Sequence, residues 1–178
     1  MKYIAMLRGI NVSGQKMIKM PELKKVFENL EFENVVTYIQ SGNVVFDYKK
    51  TNETKLKGTI EKEIKNNFGY DVSVIIRTHE ELKKIISKNP FIKLAEDENK
   101  LYFIFLNNEP DKERLEKLIS LDFSPEKFEI SGKEIYFLCP NGYGKAKLNN
   151  NVFEQKLKVI ATTRNLKTVR ELVRLGKN

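Results

Sequence analysis

The chain has 178 residues, of which 40% are hydrophobic and 31% charged, and it carries a formal charge of +8. That balance belongs to a folded protein with one good core or two small fused ones and excludes a disordered chain. No apolar run approaches the ~20 residues that span a bilayer, and the N-terminus lacks the apolar core and cleavage site of a signal peptide, so a cytoplasmic protein without membrane contact is expected.

Tyr3–Leu7 is a compact apolar run and predicts a strand. Met20-Pro21-Glu22-Leu23 opens a helix, with Leu23, Val26, Phe27 and Leu30 as its buried stripe. Residues 35–39 and 44–48 are β-rich and flank Gln40-Ser41-Gly42-Asn43, a hairpin signal in which Gly42 and Asn43 suit turn conformations. A helix follows over 53–67, with Leu56, Ile60, Ile64 and Phe68 spaced by four, and then a strand at 72–76. A helix at 79–88 ends before Asn89-Pro90, and 89–99 reads as a linker. The same order then returns: a strand at 101–106, a helix at 110–119, and strands at 128–130 and 134–138 about Ser131-Gly132-Lys133. A helix at 149–158, a short strand at 159–162 and a last helix at 166–175, with Asn165 as N-cap, complete the chain.

The fold class expected is therefore α+β: two tandem ferredoxin-like βαββαβ units with a C-terminal helix. The first unit and its connecting helix occupy 1–88, the linker 89–99, and the second unit with the C-terminal helix 100–178. Short residue echoes support a duplication: Leu30-Glu31-Phe32 against Leu121-Asp122-Phe123, and Gln40-Ser41-Gly42 against Ile130-Ser131-Gly132. Such a unit orders its strands 4-1-3-2, so strands one and two run the same way. Their C-terminal ends and the hairpin after strand two must then share one edge, which brings Arg8–Gly14 and Gln40–Asn43 together. In the second unit the polar segments, 141–148 and 162–165, fall at the opposite edge. Head to tail, the two units would bring all four segments to one cleft.

Residue chemistry narrows what such a cleft does. Cys139 is the only cysteine and His79 the only histidine. A disulfide, a thiolate cluster, His-based metal sites and His-dependent triads are excluded, so no metal or cofactor is expected. Cys139 reads as a small buried hydrophobe. His79 lies in the first turn of a helix capped by Thr78 and Glu81, a solvated position.

Gly9–Lys16 lacks the Lys-Ser/Thr pair of a P-loop but can still form an anion nest. Arg8 suits a bidentate clamp on carboxylate or phosphate. Gln40 offers an amide that reads a ligand edge. The Gly142-Tyr143-Gly144-Lys145-Ala146-Lys147 loop before a helix is a second anion candidate. Residues 141–178 hold nine Lys/Arg against two Asp/Glu, most of the positive excess. The candidate ligand-binding set is Arg8, Asn11, Gln40, Ser41, Asn43, Lys145, Lys147, Arg164 and Asn165.

Three readings follow. The first is a protein that binds a small anionic ligand, a nucleotide or phosphate ester. The second is a metal-independent enzyme in the same cleft, working by positioning and electrostatics or a lysine nucleophile. The third is RNA or DNA binding through the basic C-terminal third, for which Tyr3, Tyr102, Phe103 and Phe105 offer aromatics but no RNP-like run is present.

Ala5-Met-Leu-Arg-Gly-Ile-Asn-Val, Met20-Pro-Glu-Leu, Thr37-Tyr-Ile-Gln-Ser-Gly-Asn-Val-Val-Phe, Gly144-Lys-Ala-Lys-Leu and Ala161-Thr-Thr-Arg-Asn resemble a widespread bacterial family, the domain of unknown function numbered sixteen ninety-seven. The resemblance covers essentially the whole chain in order. It implies a small soluble cytoplasmic protein of duplicated α+β character and implies no activity. Where the family usually has Gly-Gly followed by Lys, this chain has Ser13-Gly14-Gln15, which weakens the anion nest of the first loop.

Overall fold

The computed structural model describes residues 1–177. The chain divides into two compact units, Met1–Lys84 with Glu171 onward, and Ile85–Arg170. The first holds β1 (Lys2–Leu7), α1 (Met20–Asn29), β2 (Glu33–Tyr38), β3 (Asn43–Asp47), α2 (Glu53–Phe68) and β4 (Val74–Thr78), after which α3 (His79–Ser87) begins. The second holds β5 (Leu101–Leu106), α4 (Lys112–Ile119), β6 (Lys127–Ser131), β7 (Glu134–Leu138), α5 (Asn150–Leu157) and β8 (Ala161–Asn165), followed by α6 (Leu166–Leu175). The sheets are β2-β3-β1-β4 and β6-β7-β5-β8, with every pairing antiparallel. This is the expected pair of βαββαβ units with a C-terminal helix, in the expected strand order.

The first core grows from helix stripes set against one sheet face. Asn52 caps α2 by accepting the Lys55 N–H, and Gly69, left-handed at φ 74°, ends it. Between them Leu56, Ile60 and Ile64 are buried at four-residue spacing beside Ala5, Leu7, Val44 and Phe46. Phe46 is the hub: Phe27, Phe32 and Tyr3 meet its ring at centroid distances of 5.4, 4.5 and 5.8 Å. In the second unit Phe153 plays that part, with Phe137 at 5.7 Å and Phe128 at 5.8 Å. Each such buried ring contributes about 1.5–3 kcal/mol of hydrophobic stabilisation.

Several boundaries depart from the sequence reading. β4 starts at Val74, opposite Leu7 at the end of β1, and the Ser73 carbonyl accepts the Arg8 N–H. β8 starts at Ala161 and runs to Asn165. Lys158 closes α5 in the left-handed region, and Asn107 Oδ1 accepts the Ile160 N–H, so 158–160 form the connection. Arg164 and Asn165 are consequently strand residues. Asn165 still caps α6, since its Oδ1 accepts the Thr168 N–H at 2.8 Å. In the first hairpin Gly42 takes a left-handed turn conformation, whereas Asn43 is the first residue of β3 and Ile39 is the second left-handed position. Residues 89–99 are folded turns that bury Phe91, whose N–H is held by Asn89 Oδ1.

Candidate functional site

β1 and β2 both pair antiparallel to β3, so they run parallel and end at one edge. The turn after β2 lies there against the loop after β1, and Gly42 O accepts the Leu7 N–H at 2.8 Å. A Cβ on Gly42 would sit 2.6 Å from Ile10 Cδ1 and 2.9 Å from Leu7 Cβ, at φ 75°. Only glycine fits that approach. Asn11 clasps the two segments. Its Nδ2 donates to the carbonyls of Ile18 (2.9 Å) and Gln40 (2.8 Å), while its Oδ1 accepts the Ile18 N–H (2.8 Å). The loop itself folds into a miniature hairpin, with Val12 bridged to Gln15 and Lys16 O accepting the Asn11 N–H. Lys16 Nζ reaches back to the Asp71 carbonyl.

Within this edge the candidate residues part company. The Asn11 amide is spent on the clasp. Asn43 is fully buried, and its Nδ2 donates to the Tyr38 carbonyl and Ser41 Oγ, closing the hairpin. Arg8 is half-buried, and the Gln40 side chain is exposed with no hydrogen bond to a described residue. Residues 1–21 contain Lys2, Arg8, Lys16 and Lys19 and no carboxylate side chain.

The second candidate loop is built to hold itself. Glu126 places its carboxylate on the N–H groups of Lys147 (2.7 Å) and Leu148 (2.9 Å), the donors an external anion would need. Lys147 Nζ donates to the Ser124 carbonyl at 2.9 Å. The Ser124 hydroxyl and N–H hold the Asp122 carboxyl below its usual range. Tyr143 ties the loop to α5 and β8. Its hydroxyl accepts the Asn150 N–H (2.8 Å) and donates to Thr163 Oγ1 (3.2 Å), and Thr163 Oγ1 in turn donates to Asn150 Oδ1 (3.1 Å). Burial, the largest influence, raises the Tyr143 hydroxyl above its ordinary pKa. Lys145 is exposed on the short 3-10 turn Tyr143–Lys145.

Arg164 is 7% exposed in β8, opposite Phe103, with Nη1 donating to Thr162 Oγ1 (2.8 Å) and the Thr163 carbonyl (2.9 Å). Burial lowers its guanidinium to about 10, which leaves it charged at neutral pH. Arg77 holds the matching place in β4. It sits opposite Ile4, is 2% exposed, and its Nη1 donates to the Ile76 carbonyl. Sequence reading missed Arg77 and Glu126, although the shared strand position, two residues before the capped helix, was a signal for the first.

His79 is not solvated. Its Nε2 lies 2.9 Å from the Val173 carbonyl, and the ring leaves no room for a side chain at Gly176. Thr78 and Glu81 form the expected capping box around it. Cys139 is fully buried, and its thiol is pushed up to about 12, chiefly by burial. Tyr3, Phe103 and Phe105 are buried as well, so these rings are not available for stacking on bases. Of the basic C-terminal residues, Arg170 is chelated by Glu98 and Arg174 by Glu171, so part of that excess is neutralised locally. Among the described residues no group of three or more His, Cys, Asp or Glu is placed to hold a metal ion. Among the described residues no helix is long and apolar enough to cross a membrane.

Among solved structures, the chain is similar to the conserved bacterial protein SP0830 from Streptococcus pneumoniae, with a TM-score of 0.78 over 98% of this chain and 97% of that one, at 24% identity. At that identity the likeness shows the fold alone. A comparison with curated proteins found no match. The model of a family described as protein of unknown function (DUF1697) matches residues 1–136, which include the clasped edge of the first unit. The chain belongs to that family.

Proposed function

We propose that this protein binds a small anionic ligand, a nucleotide or phosphate ester, at the loop edge of the first unit. The observation that supports this most is the Asn11 clasp. It fixes the loop after β1 to the turn after β2 and leaves the Gln40 side chain exposed beside a stretch, residues 1–21, that holds four cations and no Asp or Glu. Pre-organised loops on a rigid scaffold bind without a large ordering cost. Arg8 supplies charge and Gln40 directional hydrogen bonds. Ser41 braces the turn through Asn43. In the second unit Lys147, Arg164 and Asn165 act as structural braces, and Lys145 contributes only general positive charge.

The test is calorimetric titration of nucleotides and sugar phosphates into wild type, Arg8→Ala and Gln40→Ala. Loss of Arg8 is expected to weaken binding by roughly tenfold or more, as for a charge-assisted hydrogen-bonding pair. Equal affinity in wild type and Arg8→Ala would reject the site. Retardation of oligonucleotides that weakens steeply with salt and survives Arg8→Ala would replace this reading with nucleic-acid binding through the basic C-terminal third.

A further inference from the structure

The edge that carries Arg8 and Gln40 also carries three aliphatic side chains that the core does not use. Val12 is 57% exposed, Met17 59% and Ile39 46%. They come from two segments distant in sequence, yet each is one residue, about 3.8 Å of chain, from a group held in the Asn11 clasp. Val12 follows Asn11, Met17 precedes Ile18 and Ile39 precedes Gln40. The clasp therefore gathers them on one edge. Single exposed aliphatics are ordinary, but a gathered set beside cations marks a recognition surface.

Ile39 sharpens the point. It occupies φ 50°, a conformation that a β-branched residue rarely adopts and that glycine or asparagine takes without strain. A turn designed only to reverse the chain is better served by either residue. What Ile39 adds at this position is apolar surface facing water.

We infer that the ligand of this edge is amphiphilic, with a flat apolar ring system beside its anionic group, so that within the proposed class it is a nucleotide and not a simple phosphate ester. The inference rests on the proposed anion site and deepens it. Charge sets the occupant. Arg8, Lys16 and Lys19 belong to the same stretch, residues 1–21, which contains no Asp or Glu; Lys16 Nζ donates to the Asp71 carbonyl, and Lys19, its side chain 82% exposed, pairs with Glu22. An apolar partner without negative charge leaves that charge unused, and a phosphate without a ring leaves Val12, Met17 and Ile39 in water. A nucleobase covers the aliphatic groups with its face and offers its polar edge to the Gln40 amide, while its phosphate meets the cations.

The test compares inorganic phosphate, ribose 5-phosphate and the four ribonucleoside monophosphates by calorimetry, with wild type, Ile39→Asn, Met17→Ser and Arg8→Ala. Asparagine suits the left-handed backbone, so Ile39→Asn keeps the turn. The expected result is a nucleotide that binds about tenfold or more tighter than ribose 5-phosphate, from apolar area removed from water. Ile39→Asn and Met17→Ser should erase that margin without changing the affinity for ribose 5-phosphate, and Arg8→Ala should weaken both. Equal affinities for nucleotide and ribose 5-phosphate in wild type would overturn the inference and leave the anion site standing. No binding of any of the six compounds would overturn the anion site itself. Sedimentation that shows a wild-type dimer, made monomeric by Ile39→Asn, would assign the patch to a second copy of this chain and overturn the inference.

Discussion

The loop after β1 and the loop before α5 are alike in composition, glycine-rich and cationic at strand ends, but they spend their polar groups in opposite ways. In the second unit, Glu126 takes the N–H groups of Lys147 and Leu148, and Tyr143, Asn150 and Thr163 close a ring of hydrogen bonds. The loop is satisfied from within. In the first unit Asn11 clasps the two segments, and Arg8, Gln40, Val12, Met17 and Ile39 are left at least partly facing solvent. Similar motif residues are thus spent on internal bracing in one loop and left at the surface in the other, and the partner of each backbone N–H decides which.

The sharpest way to break this contrast is at the glycines. Gly42→Ala forces a left-handed residue and a Cβ into Ile10 and Leu7, and is expected to cost about 2–4 kcal/mol of unfolding free energy. Gly144→Ala meets open space and should be neutral or slightly stabilising, by up to about 1 kcal/mol. Denaturant unfolding of both variants checks the pair, and equal losses would show that the two loops are packed alike.

Glu126→Ala comes next. It strips two backbone donors of a charged acceptor, one of them on the fully buried Leu148, for about 2–3 kcal/mol. Hydrogen exchange should accelerate at the amides of Lys147 and Leu148 while the amides of β1 remain protected. Asn11→Ala is the counterpart in the first unit. It leaves the Ile18 N–H and two carbonyls without their partner, for about 2 kcal/mol. Unlike Glu126→Ala, it should also abolish ligand binding, because it frees the turn that presents Gln40.

Ile39→Asn sharpens the comparison in the other direction. Relief of the left-handed backbone is expected to stabilise the protein by about 1 kcal/mol, read from the denaturation midpoint. Stability gained at the expense of nucleotide affinity would mark Ile39 as kept for binding. No change in either quantity would remove the argument from strain.

The smallest effect at neutral pH is the alkaline one. Cys139 and Tyr136 are raised to about 12, mainly by burial, from ordinary values of 9.0 and 10.0. Raised values mean that the folded chain keeps protons the unfolded chain releases. Their contribution is thus full below pH 9 and declines as pH rises from 9 toward 12. Stability should be unaffected at pH 7 and fall across that window, with Cys139 inert to alkylation at pH 8 until the protein unfolds. Modification of the native thiol at pH 8 would contradict its burial.

Much of this was legible beforehand. Helix stripes such as Leu56, Ile60 and Ile64, and the capping signals at Thr78–Glu81 and Asn165, act over three to four residues of helix, so spacing alone reveals them. The meeting of 8–14 with 40–43 was also legible, because strand order dictates which loops share an edge. Where β4 and β8 begin was not. Those starts are set by pairing with β1 and β5, where Val74 meets Leu7 and Ala161 meets Leu106, partners more than fifty residues away in sequence.

By itself, then, the sequence determined the fold class, the element order and the composition of the candidate loops, since periodicity, capping and turn chemistry are local forces. Only the tertiary structure decided which loop groups are used up. It tied Asn11 to Gln40 and Lys147 to Ser124 and Glu126, buried Arg164, Phe103 and Phe105, and set His79 against Val173. A polar side chain's availability depends on whether a distant donor or acceptor reaches it first, and no pattern along the chain encodes that distance.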